Sequence, residues 1–166
     1  MKKIFLILSL FLVTACQDNI SEGTFHEKNN NYLGILIIPS IDMIYGFYDL
    51  DNKLNDVSKN VTLINSNIDN TYILVAHSGS GNLAFFNDLK LLKEKDKVYL
   101  KFKDKINEYE IENIRSEKKT GKINIKREEN QVILTTCDQV KKGNQLIIEA
   151  SLKNEEDVTK KVAFFL

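Results

Sequence analysis

Apolar residues come along this chain in short runs separated by polar turns, and the runs have the length and composition of strands. Residues 132–137 (Val-Ile-Leu-Thr-Thr-Cys) form a β-branched run that gives way at once to Asp138 and Gln139. They read as a buried strand whose last residue, Cys137, emerges at an edge. Residues 71–77 form a second such run and deliver His77 to a Ser-Gly-Ser-Gly loop. A histidine beside glycines can turn toward a substrate, whereas one in mid-strand is locked by its neighbours. Residues 32–39 predict a strand ending at Pro39, with 41–48 as its partner around Pro39 and Ser40. Residues 61–64, 98–102, 109–114, 122–125 and 145–152 predict further strands, 98–102 pairing with 109–114 across Asp104 and Lys105, and 162–166 an edge strand. Residues 65–70 and 93–97 read as polar turns. Helical spacing occurs only in 49–59 (Leu50, Leu54, Val57), which reads as a short helix or a turn, and in 85–92, where one or two helical turns pack Phe86, Leu89 and Leu92. Many short strands with little helix predict an antiparallel barrel or sandwich.

The first 31 residues follow a different pattern. Lys2 and Lys3 precede an apolar run, 4–13, that closes on Val13-Thr14-Ala15-Cys16. A charged start, a short apolar stretch and small residues make a signal peptide, and the run is shorter than the roughly 20 residues a spanning helix needs. Val-Thr-Ala-Cys resembles the lipobox of bacterial lipoproteins. That resemblance implies cleavage after residue 15, lipid modification of Cys16, and a protein tethered at the extracytoplasmic face of a bacterial membrane; two acyl chains anchor far better than one. The other reading is a secreted protein whose signal peptide happens to contain a cysteine. Residues 17–31 are polar, without apolar period, and read as a flexible tether in which His26 is solvated. The expected organisation is therefore a signal peptide (1–15), a lipidated N-terminus and tether (16–31), and one β domain (32–166).

Composition narrows the function. With 23 basic and 23 acidic residues there is no basic excess to form a nucleic-acid footprint. Two histidines and two cysteines, one of each outside the domain, do not make a His/Cys zinc site, although Asp and Glu leave room for a calcium site. No cofactor is implied. Once Cys16 is assigned to the leader, Cys137 is a lone thiol. With a histidine elsewhere in the chain it is a candidate nucleophile; the bland alternative is a cysteine buried for packing alone.

The ordered set of short motifs carries more. Leu33-Gly34-Ile35 to Ile38-Pro39, Ala76-His77-Ser78-Gly79, Phe86-Asn87-Asp88-Leu89, Val98-Tyr99-Leu100, Thr120-Gly121-Lys122 to Arg127, and Leu134-Thr135-Thr136-Cys137 occur in the order and spacing of the sortases. The chain resembles that family from about residue 33 to residue 152. The resemblance implies an eight-stranded β-barrel with one or two short helices, acting as a cysteine transpeptidase. Such an enzyme cleaves an LPXTG-like sorting signal of a surface protein or pilin through a thioester, then passes the acyl group to an amine of cell-wall precursor or pilin. Matched by motif position, Cys137 is the nucleophile and His77 the acid/base. Thr136 shapes the substrate groove, with Ala76 and Ser78 beside it.

Two positions depart from the pattern. Where sortases carry an arginine that stabilises the substrate backbone and oxyanion, this chain has Gln145, a neutral donor; Ile133 replaces the first threonine of the usual TLXTC. Losing an oxyanion donor costs about 10²- to 10³-fold in rate. The only arginines are Arg115 and Arg127, of which Arg127, like Lys142, is an alternative cationic stabiliser. The second functional reading is a sortase-fold lipoprotein that binds peptides or surface proteins without turnover, and a third is a thiol hydrolase using the same residues. Retention of both His77 and Cys137 favours the transpeptidase.

Overall fold

The computed structural model describes residues 31–125 and 128–157. The leader with Cys16, the tether with His26, Arg127 and the run 162–166 lie outside the described residues. Eight strands form one sheet: β1 (Gly34–Ile38), β2 (Met43–Phe47), β3 (Thr62–Ile64), β4 (Tyr72–Val75), β5 (Lys97–Lys101), β6 (Lys105–Lys118), β7 (Gln131–Cys137) and β8 (Asn144–Asp157). Their order is β2-β1-β5-β6-β8-β7-β4-β3, and a bridge between Phe47 and Val61 links the two edges into a nearly closed barrel. The expected mostly-β barrel with little helix is what the chain forms. The strands pair antiparallel except β4 with β7, which run parallel, as does the single Phe47–Val61 bridge.

Alternation decides which side chains fill the barrel. On β1 and β5 every second residue faces inward, so Leu36, Ile38, Val98 and Leu100 are buried. They join Phe47, Leu74, Phe86, Leu89, Tyr109, Val132, Leu134 and Ile148 in the interior. β7 differs, because all its residues before Cys137 are buried. Val132 and Leu134 point into the barrel, while Ile133 packs on the opposite face with Ile73 and Ile147, against Val75, Ile123 and Ile125.

One expectation is corrected, the strand at 122–125, and two are narrowed. Residues 49–59, expected as a short helix or a turn, form turns, because Asp49, Asn52 and Asp56 accept hydrogen bonds from the nearby backbone N–H groups of Leu50, Leu54 and Ser58. Such local bonds compete with helical ones. Residues 122–125 are irregular; Ile123 and Ile125 cover the outer face instead of entering a ladder. In 85–92 the helical element is the 3₁₀ segment Asn87–Leu91, which buries Leu89. β6 and β8 also extend well beyond the predicted 109–114 and 145–152, since charged residues on their outer face break the apolar pattern while the pairing continues past two register shifts.

Candidate active site

The parallel pairing of β4 with β7 is the feature that assembles the site. Its register sets Leu74 against Leu134 and Val75 against Thr135. Two residues beyond its end stand His77 and Cys137, at the same offset, on strands whose ordinary spacing is about 4.8 Å. Main-chain and side-chain bonds hold the two ends together beyond the ladder. Ala76 N–H donates to the Thr135 carbonyl at 3.4 Å, Thr136 Oγ1 donates to the Ala76 carbonyl at 2.8 Å, and Ser78 Oγ donates to the Cys137 carbonyl at 2.5 Å. Thr136, Ala76 and Ser78 thus tie the strand carrying the sulfur to the strand carrying the imidazole. Strand alternation puts Ile73, Val75 and His77 on one face, with Ile133 and Cys137 on the same face of β7. His77 is exposed and Cys137 half-buried.

The loops after each residue are tied to one another. Asn87 brackets Gly79, accepting from its N–H at 2.7 Å and donating to its carbonyl at 3.0 Å; Phe86 N–H donates to the His77 carbonyl at 3.0 Å. Gln139, two residues past the cysteine, donates to Asn87 Oδ1 at 2.6 Å and accepts from Lys90 at 3.0 Å. Gly79 has φ of +130°, a conformation open to glycine and strained for other residues. A cavity of about 150 Å³ opens where Cys137, Thr136, Ser78, Asn87, Gln139 and Leu146 meet.

Asp138 secures the turn between β7 and β8. It accepts from Ser116 Oγ at 2.5 Å and from the Val140 and Lys141 N–H groups at 2.8 and 3.0 Å. Burial works against the charged carboxylate, but these donors outweigh it and hold Asp138 below the usual carboxylate range.

Gln145 lies directly across from Cys137 on β8, and its amide is occupied. Nε2 donates to Glu117 Oε1 at 3.2 Å and to the Lys122 carbonyl at 3.0 Å, and an amide nitrogen has only two hydrogens. Arg115 is also engaged: Nη1 lies 2.6 Å from Glu149, Nε lies 3.7 Å from Glu117, and Nη2 donates to the Asn124 carbonyl. Lys142 sits exposed in the β7–β8 turn. The cation that reaches the sulfur is Lys119, whose Nζ stands 3.3 Å from Cys137 Sγ. Sequence reasoning passed over it, as it did Asn87 and Gln139. Lys119 sits among other lysines, and nothing local marks it as near a cysteine 18 positions away.

A larger cavity, about 620 Å³, lies between the β3–β4 loop and the segment after β6, lined by Ile64, Ile68, Ile73, Ile123 and Ile125 with Asn65 and Asn124. Ile73 belongs to the same face of β4 as Val75 and His77. The cavity does not include Cys137, but its apolar floor continues along β4 and β7 toward it. Among the described residues no group of three His, Cys, Asp or Glu side chains is arranged to hold a metal, and no helix is long and apolar enough to cross a membrane.

Comparison with known proteins agrees with this geometry. A family profile described as the sortase domain matches residues 36–153. Sortase A of Listeria monocytogenes superposes with a TM-score of 0.65 at 21% identity, over 79% of this chain and 93% of that one. Sortase C-3 of Streptococcus pneumoniae gives 0.65 at 18%, over 80% and 68%. A sortase C of Streptococcus pneumoniae, described with its pilin substrate specificity, gives 0.62 at 20%, over 77% and 71%. No curated protein matches by sequence.

Proposed function

Because this chain belongs to the sortase family, a family of cysteine transpeptidases, we propose that it cleaves an LPXTG-like sorting signal through a thioester on Cys137 and transfers the acyl group to an amine of cell-wall precursor or pilin. The observation that carries this reading is the parallel register of β4 and β7, extended past the ladder by Thr136 donating to the Ala76 carbonyl and Ser78 donating to the Cys137 carbonyl, the residues on either side of His77. In the first half-reaction the sulfur anion adds to the threonine carbonyl carbon of the signal, forming an S–C bond as the carbonyl π pair moves to oxygen. Collapse of the adduct breaks the C–N bond, and the departing amine takes a proton from the His77 imidazolium. In the second half, an incoming amine adds to the thioester and gives its proton to His77. The S–C bond then breaks, releasing the new amide and restoring the sulfur. Water in place of the amine gives hydrolysis.

The cavity at Ile73, Ile123 and Ile125, open between two loops, offers isoleucines to an apolar side chain and Asn65, Asn67 and Asn124 to polar groups, which suits an extended peptide. Cys16 is the proposed lipid anchor, which places the barrel at the outer face of the membrane. Mass spectrometry of the purified chain incubated with LPXTG-type peptides tests the chemistry: a covalent adduct is expected in the parent, none in Cys137→Ala. His77→Ala is expected to slow its formation by about 10²- to 10⁴-fold. Release of Cys16→Ala from the membrane fraction tests the anchor.

A second reading has one observation in its favour. Gln145 stands where the family has arginine, and both its amide hydrogens are committed to Glu117 and Lys122. A sortase-fold protein that holds peptides without cleaving them would bind the same peptides, with affinity lost on Ile73→Asp, and yield no adduct from any of them.

A further inference from the structure

The transpeptidase reading leaves one requirement without an assigned residue: a donor for the negative charge that develops on the substrate carbonyl oxygen. We propose that Lys119 fills it, its ammonium group meeting the oxyanion formed when Cys137 adds to an acyl substrate. This deepens the function proposed above and rests on it. In the tetrahedral adduct the oxygen anion is two bonds from the sulfur. A cation whose Nζ stands 3.3 Å from Sγ is therefore within a small side-chain rotation of that oxygen. Donors aimed at developing charge are among the largest contributors to acyl-transfer catalysis.

The backbone fixes where this lysine can be. β6 ends with Lys118 in register with Asn144, and the ladder is carried one residue further by Lys119 N–H donating to the Gly143 carbonyl at 2.9 Å. Gly143 has φ of +83°, which a residue with a side chain adopts only under strain, so the β7–β8 turn that receives Lys119 depends on glycine. The same turn is latched by Asn144 Nδ2 donating to Ser116 Oγ at 2.9 Å, and by Ser116 Oγ donating in turn to Asp138. Alternation along β6 puts Arg115, Glu117 and Lys119 on one face, and Gln145, Glu117's partner, opposite Cys137 on β8. Within that row the other candidates are occupied: Arg115 by Glu149, Glu117 and Asn124, and Gln145 by Glu117 and Lys122. Among the described residues no carboxylate forms an ion pair with Lys119, and its recorded side-chain partner is the sulfur.

The test uses the full chain and two reactions of the same sulfur. Acylation by a sorting-signal peptide passes through an oxyanion, whereas alkylation by iodoacetamide is a displacement at a CH₂ carbon and forms none. Lys119→Met is expected to slow acylation by about 10- to 100-fold with the peptide KM changed less than about 3-fold, at the low end of oxyanion-donor losses because this donor is exposed. Alkylation should slow less than about 3-fold. Lys119→Arg should restore acylation to within about 5-fold of the parent, and Lys118→Met, one residue back and on the opposite face, should leave both reactions unchanged. Equal losses in acylation and alkylation, a loss confined to KM, or no loss at all would overturn the assignment. If the parent forms no adduct with any sorting-signal peptide, the proposed function fails. Lys119 is then read with p-nitrophenyl acetate, whose attack by Cys137 generates the same oxyanion and releases nitrophenolate: slower acetylation in Lys119→Met sustains the assignment, and an unchanged rate ends it.

Discussion

Two seams of the barrel meet at Cys137, and they are built on opposite principles. The β4–β7 seam is short, parallel and apolar: Leu74 and Leu134 are buried inside it, Ile73 and Ile133 outside, and only at its end do polar groups appear, as Thr136 and Ser78 donating across the gap. The β6–β8 seam is long and antiparallel, with irregular register at Glu108/Tyr109 and Ile111/Asn113, and its outer face is a chain of charged and amide side chains through Asn113, Glu149, Arg115, Glu117 and Gln145, with Lys119 beyond the end of β6. The first seam sets where sulfur and imidazole stand. The second sets the charge around them and, through Arg115 and Gln145, pins Asn124 and Lys122 of the segment that walls the larger cavity. Position is thus secured by packing, which is insensitive to salt and pH, while charge sits on a surface ladder that can vary without unfolding the barrel.

Substitutions in the short seam should therefore cost mainly stability, and those in the long seam mainly function. The largest effect is expected from Leu134→Ala, which opens a void beneath the cysteine strand at a residue 1% exposed. A loss of about 2–5 kcal/mol is expected by urea denaturation. A loss under about 1 kcal/mol would mean that β7 is not held by its inner face. Next is Thr136→Val, which keeps the shape and removes the donor to the Ala76 carbonyl. With Thr136 only 5% exposed, the expected cost is about 1–3 kcal/mol. Because this bond lies beside both reacting groups, thioester formation should slow as well, at unchanged iodoacetamide reactivity.

Arg115→Met probes the other seam. Glu149 keeps Asn113, which donates at 2.7 Å, but loses its cation, and the Asn124 carbonyl loses a donor. Fully buried pairs cost about 3–5 kcal/mol to break; Arg115 is partly exposed, so about 1–2 kcal/mol is expected. The peptide KM should rise several-fold as the segment after β6 loosens. A cost equal to that of Leu134→Ala would erase the distinction between the seams.

The sequence carried the short seam far better than the long one. Continuous β-branched runs at 71–77 and 132–137 were legible as buried strands, and the residue closing each stood out as a candidate for chemistry, because apolar runs and isolated titratable residues are local signals. That the two strands run parallel was not legible, since pairing partners are set by the whole barrel. The long seam was seen only in its apolar middle. Its polar ends went without an assigned element, and 122–125 looked like a strand because Ile123 and Ile125 alternate, although that alternation serves to cover Ile133 and Ile147. Gln145 was found by comparing motifs, but its commitment to Glu117 and Lys122 depends on cross-strand register. Lys119 was missed for the same reason.

The smallest expected effect concerns the turn where the two seams join. Asp138 leaves β7 and accepts from Ser116 on β6, so its carboxylate links the seams directly. Held below the ordinary value of 3.8 by Ser116 and the Lys141 and Val140 N–H groups against the pull of burial, it binds its proton less readily in the folded chain than in the unfolded one. The contribution is therefore present above about pH 4, and falls away as pH drops below the unfolded value and through the folded one. Solvent reaches this carboxylate, so the stake is about 0.5 kcal/mol. Asp138→Asn should remove that part of the acid dependence while leaving stability at pH 7 within about 1 kcal/mol of the parent. Hydrogen exchange of the Val140 and Lys141 amides between pH 3 and pH 6, corrected for intrinsic rates, is the measurement: the parent should lose protection toward pH 3 and the variant should start low and stay flat. Equal pH profiles in both chains would show that the Ser116–Asp138 link does not couple the turn to β6. Lys119 would then be held beside the sulfur by its bond to Gly143 and by the Asn144–Ser116 latch, without help from Asp138.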